Sequence, residues 1–205
     1  MKNMESKKQH WETVYETKTP EQVSWTQEKP EVSLNFIHDS GLDKSVSVID
    51  IGGGDSKLVD FLLADGYSDV TVLDISGKAI ERAKLRLGAL ADKVVWIESD
   101  INDFVPSKTY SIWHDRAAFH FLTTKEEQER YVNLVNTSVT DYLVIGTFSE
   151  NGPLKCSGLE IQQYSESSMV DQFKGFQKIT CENENHLTPF DTIQNFIFCS
   201  FKRQD

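Results

Sequence analysis

Short apolar runs alternate along the chain with segments whose apolar residues recur every three or four positions. Residues 46–51 (VSVIDI) read as a buried strand running into Gly52, Gly53 and Gly54, and 56–66 as a helix with Leu58, Phe61 and Leu62 on one side and Gly66 as its stop. The pattern repeats: strand 69–75, helix 77–90, strand 93–98, strand 110–115, helix 125–139 behind Thr123 and Thr124, and strand 142–148. Strands that alternate with helices predict parallel βαβ units and an α/β sheet. At the end of the chain 176–183 and 193–203 are strand-like with no helix between them, so they are expected to pair antiparallel.

Residues 1 to about 44 have another texture, with aromatic residues set among charges and prolines. Helix 7–17 puts Trp11 and Tyr15 at i and i+4, and a second helix over 30–40 opens at Pro30 and ends at Gly41. This division predicts a helical lid or preamble over 1–44 and one α/β domain over 45–205.

The 205 residues are 39% hydrophobic and carry 21 basic against 32 acidic side chains, a net charge of −11. The length fits one core, and the acidic balance argues against a dedicated nucleic-acid binder, which needs a Lys/Arg surplus. No apolar run approaches the ~20 residues of a membrane span, and the polar start lacks the apolar centre of a secretory signal. Three scattered cysteines without a C-x-x-C pair read as reduced thiols, and no metal-ligand spacing emerges. The expectation is a cytoplasmic protein without a membrane partner.

The candidate chemistry sits at the strand ends. A glycine turn between strand and helix lets backbone N–H groups approach a ligand. Asp74 ends the second strand about 20 residues further on, where an acid accepts from ribose hydroxyls, and Asp100 with Ile101 follows the third strand. Lys57 stands where a dinucleotide fingerprint wants its third glycine, and no P-loop closes the run. Asp50 and Asp55 would repel a pyrophosphate and welcome a cation, so the pattern favours a cationic nucleoside.

The run V-I-D-I-G-G-G-D-S, with Asp74 and Asp100 at their offsets, resembles the seven-stranded class I S-adenosylmethionine-dependent methyltransferases, with Ser56 in place of the last loop glycine. The likeness covers about 46–203, and the segments 152–165 and 186–198 resemble a bacterial-type branch of mostly unassigned substrate. It implies a Rossmann-like three-layer sandwich with a mostly parallel seven-stranded sheet, S-adenosyl-L-methionine as cofactor, and transfer of its methyl group. It places Asp50, Gly52, Gly53, Gly54 and His114 at the methionine end, Asp74 and Ile75 at the ribose, and Asp100 and Ile101 at the adenine, with Trp25 over the cofactor. Asp115 and His120 are the candidate catalytic groups, His120 being equally readable as a hydrogen-bonded histidine. Trp11, Tyr15, Arg116, Phe119, Cys156, Tyr164 and His186 are the candidate substrate pocket, and Arg116 reads either as a structural partner of nearby acids or as an anion binder. A small-molecule acceptor is expected; a protein lysine, or a nucleoside-binding regulatory module without catalysis, are the alternatives.

Overall fold

The computed structural model describes residues 6–204, so the polar start of the chain lies partly outside it, as does residue 205. Five strands, β1 (Ser47–Ile51), β2 (Asp69–Asp74), β3 (Val94–Glu98), β4 (Tyr110–Arg116) and β5 (Val139–Phe148), run parallel. A two-residue antiparallel pair, β6 (Lys155–Cys156) and β7 (Leu159–Glu160), stands apart from the sheet. The long strands β8 (Phe176–Leu187) and β9 (Ile193–Arg203) then complete a seven-stranded sheet in the order β3-β2-β1-β4-β5-β9-β8. The order reverses between β1 and β4, which opens a crevice at the carboxyl ends of those strands.

Helices α1 (Lys7–Thr17), α2 (Glu31–His38), α3 (Leu58–Ala64), α4 (Gly77–Leu87), α5 (Lys125–Ser138) and α6 (Glu166–Gln172) surround the sheet. Capping sets several starts. The Ser76 hydroxyl accepts from the Ala79 amide at the head of α4, and Thr124 and Glu127 form a reciprocal capping box on α5. Period-2 alternation in the strands makes two cores. Ile49, Trp113, Leu143, Ile145 and Phe201 pack with Tyr131 and Val135 of α5 and Phe173 on one face. Val48, Val70, Val72 and Ile112 pack with Leu34 and Ile37 of α2 and Leu58 and Leu62 of α3 on the other, giving three layers.

The structure corrects four expectations. Helix α6 and the β6–β7 pair were not foreseen, since both are short and polar. The first strand of the terminal hairpin extends to Leu187, past the expected end at 183, so His186 lies inside it. The helix expected over 77–90 ends at Leu87, and 3₁₀ turns follow from Gly88. Cys181 and Cys199, directly opposite in the β8–β9 register, are joined by a disulfide, so of the three expected thiols only the buried Cys156 is free.

Candidate functional site

The crevice holds a cavity of about 570 Å³ between the strand ends and the N-terminal segment. Its floor begins at Gly52, whose φ of +67° lets β1 turn sharply while its amide donates to the Leu73 carbonyl at 2.8 Å. A Cβ there would come within 2.9 Å of the Ala118 Cβ, so glycine is required on both counts. Gly54 is equally confined: a Cβ would sit 2.5 Å from Asp74 Oδ2 and 2.8 Å from the Ala79 Cβ. Gly54 does not line the cavity itself; its amide faces the Asp74 carboxylate.

Asp50 and His114 are adjacent in the β1–β4 register, and the Asp50 carboxylate accepts from His114 Nδ1 at 2.7 Å. The other ring nitrogen lies 2.9 Å from the Ser33 hydroxyl of α2, so both imidazole nitrogens are engaged. Asp74 accepts from the Ser76 amide at 2.8 Å and is only 5% exposed. Burial, reinforced by the nearby Asp50 and Glu12, pushes its carboxyl up to about 7 against amide donors that pull it down. Ile75, Asp100 and Ile101 continue the wall, with Asp100 Oδ1 accepting from the Asn102 amide at 2.9 Å.

An aromatic box forms the opposite wall. Trp11 lies edge-on to Trp25 (centroids 5.6 Å apart) and to Phe121 (5.2 Å), and Tyr15 stands beside both tryptophans. All four rings line the cavity, together with Arg116 and Cys156. Burial first, then the charges of Asp74 and Asp55, keep the Tyr15 phenol protonated well above its usual range. Burial likewise pushes the Cys156 thiol up to about 12.

Five candidates stand behind this wall instead of on it. Successive strand residues face opposite sides, so His114 and Arg116 look toward the cavity while Asp115 looks away. Asp115 accepts from the Ala118 and Phe119 amides at 2.9 and 3.1 Å and from the Tyr131 hydroxyl at 2.6 Å, fixing the turn that seats Ala118 under Gly52. His120 is fully buried; its Nδ1 accepts from the Phe148 amide, and burial together with Arg116 lowers its pKa to about 3. Phe119 stacks on Tyr164 in the core beneath, 5.2 Å between centroids, and neither reaches the cavity. His186 also lies off it; its Nε2 holds the Ser24 carbonyl at 2.7 Å and so steadies the stretch that carries Trp25.

Three features escaped the sequence reading. Asp55 lines the cavity as one half of an ion pair and not as a free charge, because Arg86 meets it at 2.7 Å and Arg82 at 3.6 Å. Glu12 of α1 accepts from the Gly77 and Lys78 amides at 2.9 and 3.2 Å, capping α4 from another element. Ser33 completes the His114 contacts. For Glu12 the available signal was a carboxylate one residue from Trp11 on a helix expected to fold over the site.

The fit to a cationic nucleoside rests on this geometry: a close-packed glycine turn, a buried acid at the cavity wall, and aromatic faces opposite. Residues 48–139 match the family model described as a methyltransferase domain. Among curated proteins no sequence matches. Among solved structures the chain is similar to one described with the conversion of a disulfide bond into a thioacetal group during echinomycin biosynthesis (16% identity, TM-score 0.74, 95% of this chain and 91% of the other). It is similar to an S-adenosylmethionine-dependent methyltransferase of Anabaena variabilis (14%, 0.74, 96% and 93%). It is also similar to the 1,6-didemethyltoxoflavin N1-methyltransferase of Burkholderia thailandensis, solved with 1,6-didemethyltoxoflavin and S-adenosylhomocysteine (13%, 0.69, 94% and 81%). At such identities the likeness is one of fold, and it agrees with the matched domain and with the strand order that builds the crevice. Residues 48–139 thus carry a methyltransferase domain, on the seven-stranded, Rossmann-like fold of the S-adenosylmethionine-dependent methyltransferases that the chain resembles.

Proposed function

We propose that this enzyme methylates a small-molecule acceptor held beneath α1 and the Trp25 stretch. The observation that carries the reading is the aromatic box, which walls one side of a cavity of about 570 Å³, within the range of small-ligand sites. The Burkholderia protein, by its description, is a methyltransferase of 1,6-didemethyltoxoflavin, in keeping with this reading. Among the described residues no helix is long and apolar enough to cross a membrane.

Bound S-adenosylmethionine supplies a methyl group on a positively charged sulfur. In this reading Asp74 receives the ribose hydroxyls, Asp100 and Ile101 meet the adenine, and Asp50, Gly52 and Gly53 hold the methionine end, with the 1–44 segment acting as the lid. Ser33 and Asp50 lock the His114 ring, which makes it a prop for the floor. Trp11, Tyr15, Trp25 and Phe121 exclude water and present their faces to positive charge. Of the buried titratable groups at this end, His114 is engaged at both nitrogens, the Tyr15 phenol and Cys156 thiol hold their protons, His120 and Asp115 are behind the wall, and Asp74, raised to about 7, is taken up by the ribose in this reading. The acceptor therefore arrives with a free lone pair, and the protein supplies alignment and a dry chamber.

Incubating the enzyme with methyl-labelled cofactor and a cell extract, then fractionating by size, tests the reading. Label in the metabolite fraction is expected; label confined to protein would replace it with a protein acceptor.

A further inference from the structure

The stretch between the 3₁₀ turn at Pro20–Gln22 and α2 has neither helix nor strand, yet it carries Trp25 into the cavity wall. Three side chains of the sheet reach it. His186 of β8 donates through Nε2 to the Ser24 carbonyl at 2.7 Å, and Arg116 of β4 donates through Nη1 to the Trp25 carbonyl at 3.1 Å. Glu184 of β8 accepts from Gln27 Nε2 at 3.2 Å. Two consecutive carbonyls and the residue two positions on are thus held by strands that lie far apart in the chain.

Arg116 is the costly member of this mount. Burying most of a guanidinium costs more than burying an apolar side chain of the same reach. Glu184 and Asp50 act on it as attractive charges, and its guanidinium carbon lies 4.7 Å from the centre of the Phe196 ring, a cation–π contact that fixes its direction. Its Nε and Nη2 are buried without a partner, so the Trp25 carbonyl is what the charge holds. A charge-assisted bond is roughly twice as strong as one between neutral groups, and this one grips the backbone of a residue whose ring faces the cavity. Trp25 meets Trp11 and Tyr15 there, 5.6 and 6.3 Å between centroids, so its displacement is felt through the box.

We infer that Arg116 is a positioning residue which, with His186 beside it, seats Trp25 in the wall that the bound nucleoside meets. It acts through Trp25 and touches neither cofactor nor acceptor. The inference rests on the proposed function only in taking that wall as part of the working chamber.

The test follows Trp25 directly, by fluorine NMR of the protein labelled with fluorotryptophan, the four signals being assigned from single Trp→Phe variants. R116M, which removes the donor and the charge, is expected to shift the Trp25 signal and to leave those of Trp96 and Trp113 in place, which shows that the variant is folded. R116K keeps a cationic donor and should hold the Trp25 signal closer to wild type. Where R116M does not fold, H186A, which strips the Ser24 carbonyl of its donor, takes its place in every comparison. Calorimetry then reads the consequence: R116M should weaken S-adenosylhomocysteine binding about fivefold, and by less than about twofold when the W25A substitution is already present. The assignment is overturned by a Trp25 signal that stays in place, by R116K moving it as far as R116M, or by an affinity change that is the same with and without the indole. Neither readout involves methyl transfer, so a protein acceptor in the size-fractionated assay defeats the proposed function by a separate result.

Discussion

Replacing Asp74 with Asn should stabilise the ligand-free protein at alkaline pH while weakening the site. The carboxyl, ordinarily at 3.8, stands at about 7 because burial and the charges of Asp50 and Glu12 disfavour ionisation. The folded state thus holds a proton that the unfolded chain has released, and stability falls as pH rises from 3.8 through about 7. Three units at ~1.4 kcal/mol each make about 4 kcal/mol in full, of which roughly 2–3 kcal/mol is lost between about pH 5 and pH 8. Asn keeps the acceptor for the Ser76 amide and carries no charge. Urea unfolding of both proteins at the two pH values reads the effect. D74N should gain about 2–3 kcal/mol on wild type between them, and saturating S-adenosylhomocysteine should recover less of its stabilisation in D74N. A wild-type–variant difference that is the same at both pH values would refute the reasoning, because no ionisation at Asp74 would then be coupled to folding.

Asp115→Ala should cost about 3 kcal/mol in urea unfolding by stripping the Ala118 and Phe119 amides and the Tyr131 hydroxyl of their acceptor, whereas D115N should keep most of the stability. Glu12→Ala removes a cap from α4 and should cost about 1 kcal/mol, with faster amide hydrogen exchange over α1 as the local signature. His120→Asn should leave the shape of the pH–rate profile between about pH 6 and pH 9 unchanged, since a histidine at about 3 has no proton to exchange there; loss of a limb in that range would return His120 to the chemistry.

The sheet was legible because its signals are local. β1, β2, β4 and β5 each carry a short stretch rich in apolar and β-branched residues, and Gly52 and Asp74 stand where the crevice of an open sheet forms. Alternation along β4 also carried information that the reading passed over: it puts His114 and Arg116 on one face and Asp115 on the other. What stayed hidden depends on distant chain segments. Nothing near Asp55 in sequence says that Arg82 and Arg86 will neutralise it, and nothing near Glu12 announces the head of α4 sixty-five residues away. The Cys181–Cys199 link follows from the β8–β9 register, which composition alone does not fix. Helix α6 was missed because seven residues with only Met169 and Val170 apolar give too little periodicity to read.

The Glu12 cap ties two elements together. Amides at 76, 77 and 78 are divided between two acids, one at the end of β2 and the other belonging to α1. The first helix is thereby anchored to the same short turn that fixes the Asp74 carboxylate, so a shift of that turn cannot spare either acid.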